Sequence, residues 1–160
     1  MPKDKILIVD DEEILHESII DALEDEEDYE IVSAYNGQEG LKLVKEQNPV
    51  LIILDLRMPV MDGIEFLRQL EVKTDDPYSI VVLTGHGDTE EMETTYDLGI
   101  RSFLRKPFNI YELRSLVESC ISLKKAEKML TSEVSKREDA EAQMKQYREQ
   151  LDKMMDSLKI

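Results

Sequence analysis

The chain has 160 residues, 41% of them hydrophobic and 35% charged, which suits one domain of ordinary size with an appendage and excludes wholesale disorder. A single cysteine, Cys120, excludes an intramolecular disulfide framework and a cysteine-rich zinc site, and apolar runs as short as VLIIL at 50–54 exclude a membrane span. The net charge of −16 lies before residue 124: residues 1–123 hold 11 basic and 28 acidic side chains, residues 124–160 hold 9 and 8. So acidic a domain is repelled by phosphate backbones and anionic lipid, which argues against direct binding of nucleic acid or membrane. For most carboxylates, including the run Glu24–Asp28, solubility at a helix end is reason enough. The start, MPKDKILIVDDEE, turns acidic at once and has no apolar core of a secretory signal, so a cytoplasmic protein is expected.

From residue 5 to residue 104, short β-branched runs alternate with longer amphipathic stretches. The strand expectations, in chain order, are Lys5–Val9, Glu30–Ala34, Val50–Leu54, Ile80–Leu83 and Ile100–Leu104. Between them fall the helical patterns Ile14/Ile19/Leu23, Leu41/Val44, Ile64/Leu67/Leu70 and Met92/Tyr96. Four helices open on Asp or Asn followed three residues later by Glu, at Asn36/Glu39, Asp62/Glu65, Asp88/Glu91 and Asn109/Glu112, each a variant of the capping box. Gly99 stands where a C-terminal glycine would end the fourth helix. Five strands separated by helices predict an α/β fold with a parallel sheet covered on both faces.

After Asn109 neither Gly nor Pro occurs, and charges of both signs interleave. The heptad row Leu116, Leu123, Leu130, Arg137, Met144, Leu151, Leu158 is apolar at six of seven places. Its companion row, Leu113, Cys120, Glu127, Val134, Glu141, Arg148, Met155, is apolar at only four, and Ala140, Tyr147 and Met154 offer a second companion. This imperfect seam predicts a helix of about 75 Å. A lone helix that long with a wet apolar stripe is hard to stabilise, so a homodimer through residues 110–160 is expected; folding back on the domain is the alternative.

In an open parallel sheet, ligands bind beyond the carboxyl ends of the strands. There the first strand ends in Asp10 and Asp11, the third in Asp55 and the fourth in Thr84, and the fifth is followed by Lys106 and Pro107. Carboxylates converging on one edge repel one another by roughly 4 kcal/mol per close pair at a surface-like dielectric. That cost suggests a hard divalent cation, and Mg2+ fits because it takes a few carboxylates and keeps several waters. Lys106 adds a fixed positive charge and Thr84 a hydroxyl donor. Together they describe a pocket for a tetrahedral dianion beside a carboxylate nucleophile, which is what phosphoryl transfer to a carboxylate requires.

The segments ILIVDDE (6–12), LIILDLRMPVMDG (51–63), VVLTGHGD (81–88) and FLRKPF (103–108) resemble the four signature stretches of the response-regulator receiver domain of two-component signalling. The resemblance covers about Lys3 to Leu123 and sets a domain at 1–123, with 124–160 a coiled-coil extension or linker. It implies a flavodoxin-like five-stranded sheet in the order 2-1-3-4-5. It makes Asp55 the phosphoacceptor of a sensor histidine kinase or phosphotransfer protein, and assigns Asp10, Asp11, Asp55 and the Arg57 backbone carbonyl to Mg2+. Thr84 and Lys106 would hold the phosphoryl oxygens, and Pro107 would follow a cis peptide bond that aims Lys106 into the site. Phe103 takes the place of the switch aromatic that turns inward as Thr84 moves. Arg57 and His86 occupy positions where the family tunes the lifetime of the acyl phosphate, and Gly85 leaves room for a phosphodonor.

On the same resemblance the chain is a signalling phosphoacceptor with at most slow self-dephosphorylation, not an enzyme. A haloacid-dehalogenase-type phosphatase would want a second aspartate where Arg57 stands. A flavodoxin proper would want a hydroxyl-rich phosphate loop where Asp11-Glu12-Glu13 stands. An adaptor dimerising through the tail, its receiver never phosphorylated, is the competing reading, and SEVSKREDAEAQMKQYREQL also resembles linkers that join receivers to further domains.

Overall fold

The structure, a computed structural model, describes residues 3–23, 28–85, 87 and 89–159. His86, the Asp88 cap and Glu24–Glu27 of the acidic run lie outside the described residues. Five strands, β1 (Asp4–Val9), β2 (Tyr29–Ala34), β3 (Leu51–Asp55), β4 (Ser79–Thr84) and β5 (Ser102–Arg105), form one parallel sheet in the order β2-β1-β3-β4-β5. Alternating side chains of the central strands feed two separate cores. Ile6, Ile8, Leu51, Ile53, Val81 and Leu83 face one side, and Leu7, Val9, Ile52, Leu54, Ile80 and Val82 face the other. Burial on both faces is why these strands read as unbroken apolar runs rather than as alternation.

The first core is closed by α1 (Glu13–Leu23) and the start of α5 (Ile110–Ser157), the second by α2 (Gly37–Gln47) and α3 (Gly63–Leu70). Asn36, Asp62 and Asn109 each accept, through side-chain oxygen, the backbone N–H of the Glu three residues on, as their spacing predicts. α4 (Thr89–Asp97) ends as predicted at Gly99, whose φ is +103°. Ile100 N–H reaches the Thr95 carbonyl while Gly99 N–H reaches that of Tyr96, a Schellman closure.

Three sequence expectations need correction. In α1 the buried residues are His16, Ile19, Ala22 and Leu23, and Ile14 is 77% exposed. Residues 14 and 19 differ by about 140° around a helix at 100° per residue, so they cannot share the face that packs. In α4 Met92 and Tyr96 face outward, and Thr95 is the buried side chain, its hydroxyl donating to the carbonyls of Glu91 and Met92. β5 starts at Ser102, two residues late, because Ile100 is spent closing α4.

Contacts divide the chain into two units, Met1–Lys124 and Lys125–Ile160, with the division inside α5. In the first unit, Leu113, Val117, Cys120, Ile121 and Lys124 are buried, so Leu113 and Cys120 belong to the domain core and not to a dimer seam. In the second, every described residue is exposed. No helix is long and apolar enough to cross a membrane among the described residues. The α1 correction is testable by thermal denaturation: Ile19→Ala should cost about 2–4 kcal/mol, as cavity formation does, and Ile14→Ala within about 0.5 kcal/mol of nothing.

Candidate functional site

The ends of β1, β3 and β4 and the turn after β5 meet on one edge of the sheet. β3 delivers Asp55, and the loop that follows is folded tightly beneath it. Leu56, Met58 and Met61 are buried in the second core, and Gly63 N–H donates to the Leu56 carbonyl at 2.9 Å. Here the backbone approach requires glycine: a Cβ on Gly63 would sit 2.6 Å from the Asp55 carbonyl oxygen and 2.7 Å from Leu56 Cα. Across the edge, Lys106 N–H donates to the Thr84 carbonyl at 2.7 Å, and the Lys106–Pro107 peptide is cis.

These elements bring Asp10, Asp11 and Asp55 together, with one carboxylate oxygen from each lying within 4.8 Å of the others. Lys106 Nζ stands between two of them, 3.7 Å from Asp10 Oδ2 and 3.6 Å from Asp55 Oδ1. Asp10 Oδ1 accepts the Glu12 N–H at 2.8 Å, while Asp10 Oδ2 is buried without a hydrogen bond. An all-oxygen donor set with one fully desolvated, unbonded carboxylate oxygen fits a hard cation such as Mg2+. Thr84 is buried at the edge, and Phe103 is half-buried. Both line a cavity of about 250 Å3 with Gly87, Thr89 and Met92.

Arg57 and Glu91, which the sequence does not link, form an ion pair at 3.5 Å between the β3–α3 loop and α4. His16, also not singled out by sequence reasoning, is buried with Nε2 2.7 Å from the Asp10 carbonyl oxygen. Its only sequence signal is a place in the Ile19/Leu23 helical phase.

Burial pushes the Asp10 carboxyl up to about 6; the Glu12 N–H opposes it and the Asp55 charge adds to it. Burial likewise raises Asp55, against the pull of Lys106. A carboxyl with a higher pKa in the fold than in the unfolded chain binds its proton more tightly when folded. The stability this adds is full below about 3.8 and is lost as pH rises through about 6. Metal-free protein should therefore unfold several degrees lower at pH 7.5 than at pH 5 from this group. Asp10→Asn should recover on the order of 2 kcal/mol at pH 7.5, measured by thermal denaturation in chelator.

The response regulator receiver domain family matches residues 6–118. The sporulation initiation phosphotransferase F of Bacillus subtilis is 33% identical over 124 residues, spanning 78% of this chain and 98% of its own length. The response regulator Rre1 of Synechocystis is 32% identical over 147 residues, spanning 91% of this chain and 64% of its own. The chain spans about half the length of several further curated relatives. A receiver domain from Clostridium thermocellum superposes with a TM-score of 0.68 at 30% identity, over 77% of this chain and 98% of that one. With its sheet order and its acidic edge, the chain belongs to the response regulator receiver domain family of two-component, phosphorylation-dependent signalling.

Proposed function

We propose that Asp55 accepts a phosphoryl group from the phosphohistidine of a sensor kinase or phosphotransfer protein. The observation that carries this reading is the position of Lys106 Nζ, 3.6 Å from Asp55 Oδ1 beside the three-carboxylate cluster. One Asp55 carboxylate oxygen forms the new O–P bond as the N–P bond of the donor breaks, and the proton that the departing imidazole takes comes from solvent. Lys106 neutralises a phosphoryl oxygen as charge builds, and the Thr84 hydroxyl donates to another. Mg2+, held by Asp10, Asp11, Asp55 and the Arg57 carbonyl, would supply the remaining positive charge on the phosphoryl oxygens. Pro107 orients Lys106. On this reading the chain acts as a phosphoacceptor with at most slow self-dephosphorylation, and not as a phosphatase.

On this reading the response passes to α4 and β5. Phe103 and Thr84 share one cavity, so a Thr84 drawn toward the phosphoryl group leaves space into which the ring can turn. A phenylalanine has no hydroxyl, so this switch works through burial alone. Arg57 follows Asp55 by two residues, its backbone N–H lies 3.4 Å from Asp55 Oδ1, and its side chain pairs with Glu91, which ties the loop after β3 to α4. Arg57, and His86 by its position in the sequence, set how readily water reaches the acyl phosphate.

The second unit supplies the output. Met144, Tyr147, Leu151, Met154 and Leu158 are exposed and spaced alternately three and four apart, the seam of a two-stranded coiled coil. Pairing with a second copy covers it, and phosphorylation shifts that pairing by a few kcal/mol, an ordinary size for such switches. The competing reading, an adaptor that dimerises without phosphorylation, predicts the same pairing and an inert Asp55.

Intact mass after incubation with Mg2+ and a small-molecule phosphodonor separates the two. Wild type should gain one phosphoryl group, and Asp55→Asn, or wild type in chelator, should gain none; an unmodified wild type that binds Mg2+ would favour the adaptor. For the tail, light scattering should give a dimer mass for the full chain and a monomer mass for the Met144→Asp/Leu151→Asp variant. Equal masses would rule out the seam.

A further inference from the structure

His16 is a buried imidazole that the phosphoryl chemistry does not use. It is 1% exposed on α1, where a leucine would fill the same core position without the cost of burying a polar ring. Its Nε2 lies 2.7 Å from the Asp10 backbone oxygen, and because a carbonyl can only accept, Nε2 carries the hydrogen. Nδ1 lies 2.9 Å from Ser33 Oγ on β2, and the ring rests on Tyr35 with centroids 4.4 Å apart. Both nitrogens are thus bonded and the ring plane is held on one side.

The atom it holds is the significant one. The sheet ladder ends at Val9, paired with Ala34 on β2 and Leu54 on β3, so the Asp10 carbonyl lies just past its last rung. That carbonyl belongs to the peptide plane joining Asp10 to Asp11. Its orientation sets ψ of the first residue and φ of the second, and hence the separation and aim of their two carboxylates. The Asp10 N–H is fixed by the Ala34 carbonyl at 3.1 Å and its Oδ1 by the Glu12 N–H. With the His16 bond, every polar group of Asp10 has a hydrogen bond except Oδ2, which faces the cluster.

We infer that His16 is a positioning residue for the cation site: its Nε2–H fixes the Asp10–Asp11 peptide plane and so the geometry of the two carboxylates. The inference rests on the reading that these carboxylates hold Mg2+. Indirect supports of this kind typically carry roughly ten- to a hundredfold in metal affinity.

Glutamine and asparagine divide the two bonds of the ring. A glutamine amide nitrogen reaches about as far as Nε2 and can keep the bond to Asp10; an asparagine amide reaches about as far as Nδ1 and can keep only the bond to Ser33. The experiment is calorimetric titration of the full chain with Mg2+, with thermal unfolding in chelator run in parallel. His16→Gln should bind within about threefold of wild type, and His16→Asn and His16→Leu about tenfold or more weaker. Ile19→Val, which loosens the same helix without touching Asp10, should leave affinity unchanged. Equal losses for Gln and Asn, or affinity that merely follows stability across the set, would overturn the inference. If His16→Leu does not fold, the Gln and Asn pair still decides. Asp10→Asn tests the reading beneath it: if it binds Mg2+ as wild type does, or wild type binds none, the cation site itself is wrong and the inference falls with it.

Discussion

Three carboxylates gathered on one edge of the sheet are the constraint around which the rest of this domain is arranged. At distances within 4.8 Å their mutual repulsion is on the order of 4 kcal/mol per pair at an intermediate dielectric, and burial of Asp10 and Asp55 adds desolvation. A cluster of that kind persists only where the backbone beneath it is over-determined. Here it is. Asp10 and Asp55 sit at the ends of adjacent strands whose side chains are buried on both faces, each such Ile or Leu contributing roughly 1.5–3 kcal/mol. The tight approach of Gly63 fixes the loop after Asp55, and the bonds to Ala34, Glu12 and His16 fix the residue after β1. Repulsion that would spread a flexible site is thereby kept in place, and it is positive charge that relieves it, as Lys106 already does in part.

Lys106, at the cluster, and Arg57, in the loop that follows Asp55, differ in how firmly they are held. Lys106 is 28% exposed and faces two buried carboxylates, so its attraction is little screened. Arg57 is 61% exposed and its partner Glu91 38% exposed, although the Glu91 Oε2 that meets it is itself buried. New negative charge on Asp55 would strengthen an existing Lys106 contact. The Arg57–Glu91 pair is the one that touches α4.

The strands and their ends were readable because two-sided burial leaves an unmistakable trace, continuous β-branched runs, and because a parallel sheet sends every strand's C-terminus to the same edge. Asp10, Asp11, Asp55, Thr84 and Lys106 could be placed together from that topology alone. Capping was equally local: the bonds at Asn36, Asp62 and Asn109 span three residues. Helix faces were less legible. Ile14 looked like core because it is apolar, yet the helical phase is set by Ile19, Ala22 and Leu23, and the place on that face nearest the site is held by a histidine. α4 inverted the usual rule, with Thr95 inside, its hydroxyl satisfied by its own helix, and Met92 and Tyr96 outside. The pairing of Arg57 with Glu91, and of His16 with the Asp10 carbonyl, was not legible in the sequence, although His16 does share the helical phase of Ile19 and Leu23. One joins residues far apart in sequence, and the other ends on a backbone atom that any residue would supply.

The helix α5 shows why a hydrophobic repeat must be read for its width as well as its period. Its first turns bury Leu113, Val117, Cys120, Ile121 and Lys124, a broad stripe that includes adjacent positions and suits a curved globular core. Lys124 belongs there because its ammonium reaches the Asp76 carbonyl at 3.1 Å while its stem packs. From Met144 to Leu158, by contrast, Met144, Tyr147, Leu151, Met154 and Leu158 keep three-and-four spacing, with Met155 beside them, a line that a second helix can cover and a sheet cannot. A single heptad register drawn from Leu113 to the end merges these two patterns and makes the seam look worse than it is. Separated at Lys124, the first is a domain face already satisfied, and the second is an exposed apolar line on a charged helix.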